Sequence, residues 1–235
     1  MKKMYFNWST GKDAALALYH LQKENQFDVD HLLVSVNKSL NQVSMHGLSR
    51  ELMVKQLEAI GLDYSTVELP AEPSNNEYSK LMSETVGSLK DRGYHDTGFG
   101  DIFLEDLREY REEQLQSLNI RCHFPLWKRN TRELLEEFID LGFKAIVVCI
   151  DSNKLDKSFC GREIDKAFLE DLPKDVDPCG EYGEFHTFCY EGPIFKKGIT
   201  FKRGAQIFKT YKHPNSNNEN RKSEMGFWFQ ELTLQ

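Results

Sequence analysis

Five consecutive residues near the start of the chain, Ser9 to Asp13 (Ser-Thr-Gly-Lys-Asp), combine the groups that bind phosphate. Ser9 supplies a hydroxyl, Gly11 lets the backbone approach a ligand closely, and Lys12 supplies a full positive charge. A short apolar run precedes them and a helical pattern begins near Lys12, which places them in a strand-to-helix turn. The unpaired N–H groups and the dipole at a helix start attract anions. The sequence therefore predicts a phosphate-binding loop.

A second group of chemically capable residues lies late in the chain, in the segment Gly180-Glu181-Tyr182-Gly183-Glu184. Two acids three residues apart, each after a glycine, indicate a tight loop that presents both carboxylates. Such a pair suits a magnesium ion, an amine or ammonium. A surface turn that leads into a strand is the alternative interpretation.

The spacing around Lys12 excludes the two commonest phosphate loops. A Walker loop has a glycine about five residues before its Gly-Lys pair and Ser or Thr after it, where this chain has Phe6 and Asp13. The dinucleotide fingerprint needs three spaced glycines, and only Gly11 is present.

The elements that must position these residues alternate between strand and helix in the first half of the chain. Apolar runs predict strands at 4–8, 31–36, 64–69 and 94–100, each followed by a segment of helical periodicity. This alternation predicts an α/β fold with a parallel sheet and helices on its faces, with the ligand at the carboxyl ends of the strands. Asp101 lies at such a strand end, whereas most charges of the following helix, a set that includes Arg111, are expected to form a solvated face.

The second half of the chain has a different composition. A helix from about Asn130 to Gly142, a strand at 145–150 and a short helix at 164–172 lead into a stretch rich in glycine and aromatic residues. Strand-like runs there are expected at 185–190, 199–201, 205–211 and 227–234. We therefore predict two domains, 1–120 and a smaller α+β domain, 121–235.

Composition limits the class of protein. With 235 residues and 40% hydrophobic content the chain can bury a sizeable core, and its net charge of -7 argues against broad nucleic-acid binding. No run reaches the ~20 apolar residues that span a bilayer, and the N-terminus lacks the apolar stretch of a signal peptide. Together with five cysteines that form no CxxC pair, this predicts a cytoplasmic protein.

Several motifs together resemble a known family. The segment 9–14 resembles the PP-loop of the N-type ATP pyrophosphatases, usually Ser-Gly-Gly-Lys-Asp-Ser, which grips the pyrophosphate end of ATP. The Gly-Glu-Tyr-Gly-Glu-Phe segment closely resembles a motif of the diphthine–ammonia ligase family. That family also has segments similar to 45–47 (Met-His-Gly), 100–102 (Gly-Asp-Ile) and 125–130 (Pro-Leu-Trp-Lys-Arg-Asn), in the same order. The chain looks most similar to the compact, bacterial-type members.

The resemblance implies a HUP-type, Rossmann-like domain that binds ATP and Mg²⁺, followed by a family-specific domain that helps to form the acceptor site. A carboxylate is adenylated by ATP, and ammonia then displaces AMP to form an amide. The acceptor would be a small molecule or a modified protein histidine, and a homodimer is left open. The resemblance implies that ATP is held by Ser9, Thr10, Gly11, Lys12 and Asp13, and that Asp13 also binds the metal. It implies that the catalytic residues are Lys12, Glu181 and Glu184. It also implies substrate contacts from His46, Asp101, Trp127 and Arg129.

Two departures from the family pattern keep other functions open. Thr10 replaces a glycine, so the backbone there is expected to avoid positive φ and the loop to take a different shape. Ala14 replaces a serine and removes a hydroxyl. The altered loop favours a non-catalytic ATP or AMP sensor. A PP-loop enzyme acting on tRNA is the other alternative, which the acidic charge and the absence of paired cysteines oppose.

Overall fold

The structure is a computed structural model that describes residues 1–43, 47–71, 73–212 and 224–235. Its first part contains β1 (Lys2–Asn7), α1 (Lys12–Lys23), β2 (Phe27–Asn37), β3 (Gln42–Val43), α2 (Arg50–Ile60), β4 (Asp63–Leu69), α3 (Asn75–Asp91), β5 (Asp96–Gly98), α4 (Glu105–Gln116) and β6 (Arg121–His123). Its second part contains α5 (Thr131–Asp140), β7 (Lys144–Asp151), a short 3-10 helix (Lys157–Phe159), α6 (Lys166–Asp171), β8 (Phe185–Glu191), β9 (Phe201–Lys212) and β10 (Glu224–Leu234).

The first sheet is parallel apart from the short strand β3, and β1 lies in its interior. β1 pairs with β2 on one side and with β5 on the other; β2 continues to β4, and β5 continues to β6. The chain therefore moves outward from β1 in one direction, crosses over and continues in the other. A crevice at the carboxyl ends of the strands results from this reversal, and ligands bind in such crevices. The predicted α/β fold is confirmed.

The second sheet is antiparallel, with the order β8-β7-β10-β9. The predicted α+β character of this half is confirmed, with one correction. The separate strand expected at 199–201 is wrong, because β9 begins at Phe201 and runs without a break to Lys212 as the partner of β10. β6, at 121–123, pairs with β5 and so extends the first sheet.

Local signals account for the ends of several helices. The Ser74 side chain and the Glu77 side chain cap the start of α3 reciprocally, as the sequence predicts. Gly61 ends α2 with a left-handed φ of 75°, and the Asn130 side chain accepts two N–H groups at the start of α5. None of the helices in the described ranges is long and apolar enough to cross a membrane.

One continuous apolar core joins the two halves of the chain. It extends from Met4 in β1 through the buried faces of α1 and α2 to Leu232 in β10. α1 contacts β2 and β5 on one side and β8 on the other, and α2 contacts β10. A separate cluster that includes Tyr5, Val86 and Leu115 packs α3 and α4 against the opposite face of the first sheet. The two sheets thus sandwich the helix that starts at the predicted phosphate loop.

Candidate active site

A cavity of about 660 Å³ opens at the carboxyl ends of the parallel strands. Three parts of the chain that carry predicted site residues line it: the loop after β1, the loop between β5 and α4, and the segment 179–187 that leads into β8. These segments are distant in sequence, and the strand reversal at β1 brings the first two together. The ends of β2 and β4 and the sides of α3 and α4 complete its walls. The position is the one that the parallel sheet predicts for a ligand.

The start of α1 faces this cavity. Gly11 precedes the helix without a side-chain cap, and the Lys12 N–H donates to the Thr187 hydroxyl at 3.0 Å. Among the described residues, the N–H groups of Asp13 and Ala14 form no hydrogen bond. Free N–H groups at a helix start, together with its dipole, bind an anion.

Gly100 closes one side of this anion site. A β-carbon at this position would lie 2.9 Å from the Ala14 nitrogen, which is closer than real contacts allow. Glycine therefore lets the loop between β5 and α4 approach the start of α1 directly.

Thr10 adopts a left-handed backbone conformation that threonine rarely takes. Its φ is 73°, so the prediction that threonine would avoid positive φ is wrong. The Thr10 carbonyl accepts from Gln56 Nε2 at 2.9 Å and from the Cys189 N–H at 3.0 Å. Gln56 Oε1 in turn accepts from Trp8 Nε1 at 2.8 Å. The loop thus keeps a glycine-like conformation because residues from α2 and β8 hold its carbonyl, and the buried Thr10 side chain does not line the cavity.

Lys12 is the buried cation of the site, with only 3% of its side chain exposed. Its Nζ lies 3.0 and 2.9 Å from the two Asp13 carboxylate oxygens and also donates to the Cys179 carbonyl. Burial opposes its charge, but Asp13 and the more distant Glu181 outweigh burial and raise the pKa of Lys12. A full positive charge is therefore held where water screens it little.

Glu181 bridges the two loops that face each other across the cavity. Its Oε1 accepts from the Ile102 N–H at 2.9 Å and from the Phe103 N–H at 3.4 Å. Burial raises the pKa of Glu181 to about 7, the two N–H groups oppose this shift, and the charge of Asp13 adds to it. A carboxylate with this pKa is close to half ionised at neutral pH, which suits a general base.

Two profiles of known families together match most of the chain. The profile described as the diphthamide synthase N-terminal domain matches residues 1–121, and that described as the diphthamide synthase C-terminal domain matches residues 130–217. The chain belongs to the diphthamide synthase family. The family resemblance of the sequence is confirmed.

Curated relatives are named diphthine–ammonia ligase. The one from Bos taurus is 35% identical over 102 residues, which is 41% of this chain and 38% of that protein. The one from Danio rerio is 29% identical and covers 60% of this chain and 62% of that protein. The one from Schizosaccharomyces pombe is 30% identical and covers 65% of this chain and 25% of that protein. The chain thus matches well under half of the Bos taurus relative.

The solved structures that match the chain are more distant in sequence. A predicted subunit of tRNA methyltransferase from Methanocaldococcus jannaschii superposes with a TM-score of 0.40 at 14% identity, covering 61% of this chain and 80% of that chain. A U34-tRNA thiolase from Methanococcus maripaludis superposes with a TM-score of 0.35 at 16% identity, covering 60% of this chain and 57% of that chain.

Glu184, the second acid of the family's acidic motif, does not face the cavity. Only 2% of it is exposed, and its carboxylate accepts the N–H groups of Asp177 at 3.2 Å and Tyr182 at 2.9 Å. Asp177 adds a second brace, since its Oδ1 accepts the N–H groups of Cys179 and Glu181. These contacts shape the loop that carries Glu181, and the expected catalytic role of Glu184 stays a prediction.

Trp127 and Arg129, both expected to contact substrate, do not line the cavity. Trp127 packs against Phe124 and against the Arg108 guanidinium, 4.6 Å from its ring. Arg129 forms an ion pair with Glu137 at 2.6 Å. The segment 125–130 turns toward α4 and α5 instead of the strand ends, and the substrate contacts of both residues stay predictions. His46 lies outside the described residues.

Asp101 and Arg111 lie together on the cavity wall. Asp101 Oδ2 is 2.8 Å from Arg111 Nε, and 13% of its side chain is exposed. Burial raises the pKa of Asp101 while the Arg111 charge opposes the shift. Arg111 is thus an exception to the solvated face expected for most charges of α4, because it shares a helix face with Leu104 and Leu107, and all three line the cavity.

Three further residues of the site were not identified from the sequence. Gln56 holds the phosphate loop. The sequence feature that could have identified it is a polar residue within the otherwise apolar buried stripe of α2. Thr187 holds the start of α1, and alternation in β8 gives no hint of this. His186 lines the cavity, and burial with the nearby charge of Lys12 lowers the pKa of its imidazole to about 4, so it is neutral at pH 7.

The side chains present fit a magnesium ion that arrives with phosphates. No cluster of three or more His, Cys, Asp or Glu in the described ranges could hold a metal alone. Mg²⁺ at nucleotide sites typically needs only one or two carboxylates besides the phosphates and water. Asp13, which is 29% exposed and lines the cavity, is placed to supply one.

Proposed function

We propose that this protein is an ATP-dependent ligase that adenylates a carboxylate and then forms an amide from it with ammonia, releasing pyrophosphate and AMP. The observation that supports this most is the meeting, in one cavity, of the open start of α1, the buried ammonium of Lys12 and the carboxylate of Glu181. Family membership supports the same chemistry. On this proposal residues 1–120 provide most of the ATP site, and residues 121–235 provide the acidic loop on the acceptor side.

The first half-reaction needs positive charge where pyrophosphate leaves. An acceptor carboxylate oxygen attacks the α-phosphorus of ATP, the bond to the bridging oxygen breaks, and pyrophosphate departs with the electron pair. The N–H groups of Asp13 and Ala14 and the ammonium of Lys12 stabilise that charge without reorganising, because they are already in place. Mg²⁺, when bound, offsets phosphate charge, and Asp13 helps to hold it.

The second half-reaction needs a base. Ammonia attacks the carbonyl carbon of the acyl adenylate, the bond to the AMP oxygen breaks, and one proton must leave the nitrogen. Glu181 is the acid in the cavity whose pKa, about 7, lets it accept a proton near neutral pH. His186 is a weaker candidate, since its lowered pKa makes it a poor proton acceptor there.

Phosphorus NMR of ATP and Mg²⁺ with the protein tests the proposal. Ammonium and a panel of carboxylic acids are added in turn, and we expect equal amounts of AMP and pyrophosphate that depend on one class of acid. Lys12→Ala should abolish this signal, whereas Lys23→Ala, which removes a lysine from the far end of α1, should not.

Two other results would contradict the ligase. ATP that binds but stays intact with every acid would favour a nucleotide sensor. ADP and phosphate in place of AMP and pyrophosphate would mean that the reaction does not occur at the α-phosphorus.

A further inference from the structure

The cavity continues past the phosphate loop along a wall that α3 and α4 build. Tyr78 and Met82 contribute from α3, and Leu107 and Arg111 contribute from α4. The wall is apolar apart from the Tyr78 hydroxyl and the Arg111 guanidinium. It has no role in the proposed handling of ATP phosphates, because the start of α1 and Lys12 already meet these.

A narrow cleft leads from this wall to the space between α3 and α4. It shares Tyr78, Met82, Phe99 and Arg111 with the main cavity and is bounded farther in by Val86 and Leu118, among others. Its volume of about 40 Å³ is room for about three water-sized groups. Four polar side chains (Ser79, Ser83, Tyr110 and Gln114) also border this cleft, but most of its lining is apolar, so it fits the end of a short hydrocarbon chain.

Arg111 stands where the main cavity meets this cleft. Its Nε lies 2.8 Å from Asp101 Oδ2, its Nη2 donates to Asp101 Oδ1 at 3.3 Å, and its guanidinium lies over the Phe99 ring at 4.5 Å. Asp101 therefore occupies one edge of the guanidinium. Nη1 has no partner among the described residues, and 29% of the side chain is exposed. A guanidinium presents five N–H donors, so a second carboxylate can bind at the remaining edge.

The charge of this pair suits a single carboxylate better than a polyphosphate. Asp101 neutralises most of the field of Arg111, which leaves directional hydrogen bonds with little long-range attraction. The location is also close to the proposed base, because the residue after Asp101, Ile102, donates its N–H to Glu181. A carboxylate at Arg111 would thus lie beside the groups that must act on it.

We propose that the α3–α4 wall is the acceptor subsite and that the acceptor is a small carboxylic acid with a hydrocarbon body. Arg111 binds the carboxylate, and the cleft between Met82 and Val86 on α3 and Leu118 beyond α4 takes the apolar end. Naming this ligand the acceptor rests on the proposed ligase function, but its binding to the site can be tested without turnover.

Titration calorimetry tests the subsite in the intact protein saturated with a non-hydrolysable α,β-methylene analogue of ATP. The ligands are butanoate, pentanoate, hexanoate and, as a control of equal length with a second charge, adipate. Affinity should rise about fourfold for each methylene from butanoate to hexanoate, the factor expected for burying one such group. Adipate should bind at least tenfold more weakly than hexanoate, because its second carboxylate would lose water against a lining that is mostly apolar.

Two pairs of variants separate the subsite from general damage. Arg111→Lys should weaken hexanoate at least tenfold and leave the affinity for the ATP analogue within twofold. Its matched control is Arg108→Lys, on the same helix and also ion-paired and stacked on aromatic rings, but away from the cavity. Met82→Trp should fill the cleft and remove the chain-length dependence, whereas Ser88→Trp, at an exposed position of α3, should not. Thermal unfolding confirms that each variant is folded.

The outcomes distinguish this subsite from the ligase proposal. If hexanoate binds as expected but no AMP forms with it, the subsite stands and the ligase function fails. If AMP forms equally well with acetate, adipate and hexanoate, the ligase stands and the subsite proposal fails. Absence of measurable carboxylate binding to the folded, nucleotide-saturated protein overturns the subsite, and so does an Arg111→Lys protein that loses the ATP analogue rather than hexanoate.

Discussion

The environment of Glu181 determines the pH dependence that we expect for the reaction. Its folded-state pKa is about 7, so the ionised, proton-accepting form becomes dominant above that pH. We expect the rate of amide formation, at constant free ammonia, to rise with pH and level off above about 7. Glu181→Gln should lower the rate by about 10²- to 10⁴-fold and remove this rise. A variant that keeps the same pH profile would assign the base to another group.

The same pKa has a consequence for stability. Glu181 binds its proton more tightly in the folded protein than in the unfolded chain, where the pKa is 4.5. The free energy of unfolding should therefore fall as pH rises from about 4.5 to about 7, by at most about 3 kcal/mol. Glu181→Gln lacks this loss and should exceed the wild-type stability at pH 8 while matching it near pH 4 in urea titrations. Glu109→Gln, an exposed position on α4, should show no such difference.

Gln56 is the polar residue that connects the phosphate loop to its surroundings. Its amide joins the indole of Trp8 to the carbonyl of Thr10, and both of these groups are buried. Gln56→Leu leaves the indole N–H without a partner, so we expect a loss of about 2 kcal/mol in the free energy of unfolding. ATP should also bind more weakly, because the carbonyl that holds Thr10 at positive φ loses one of its two donors. Denaturant titration and nucleotide calorimetry test both effects.

The control for this prediction is the neighbouring residue. Lys55→Gln changes an exposed side chain of α2 that contacts Glu58, so neither stability nor ATP affinity should change by more than about 0.5 kcal/mol. An equal effect of both substitutions would mean that α2 as a whole, and not the Gln56 amide, supports the loop.

At the scale of elements, α3 carries one wall of the cavity and depends on its cap. The Ser74 hydroxyl accepts the Glu77 N–H, and the Glu77 carboxylate accepts the Ser74 N–H. Ser74→Ala should cost about 1 kcal/mol and let the first turn of α3, next to Tyr78, fray. Ser88→Ala, inside the same helix and exposed, should be neutral or slightly stabilising because alanine is the better helix former. Hydrogen exchange of the first turn of α3 gives a direct readout.

Elements of this kind are what the sequence could predict. Helix caps and buried strands depend on local sequence, so residue type alone predicts them. The caps at Ser74, Gly61 and Asn130 are examples. The start of α1 was predicted for the same reason. Its partner Thr187 was not, because it lies 175 residues away and only the folded topology brings the two together.

The sequence also did not predict which way the side chains of the acidic loop point or which backbone conformation Thr10 adopts. Glu181 and Glu184 look equivalent in their motif, yet one lines the cavity and the other is buried within its own loop. Thr10 shows that tertiary hydrogen bonds can hold a β-branched residue at a φ that costs about 1–3 kcal/mol. Neither outcome follows from residue type, because both depend on groups supplied by distant segments.

At the scale of the whole molecule, the two halves that the family profiles match separately share one core. α1 is covered by the first sheet on one side and by β8 on the other. The Thr10 carbonyl accepts the Cys189 N–H, and the Lys12 ammonium donates to the Cys179 carbonyl. The phosphate loop is therefore complete only when the second half of the chain is folded.

We accordingly expect the full chain to unfold in one calorimetric transition, with equal calorimetric and van't Hoff enthalpies. A fragment of residues 1–124 retains every strand of the first sheet, but it exposes the faces of α1 and α2 that β8 and β10 cover, so it should show no cooperative transition and no ATP binding. Mixing it with a fragment of residues 125–235 should restore both. Two separate transitions in the full chain, or a cooperative 1–124 fragment that binds ATP, would show that the second sheet contributes to acceptor chemistry without supporting the nucleotide site.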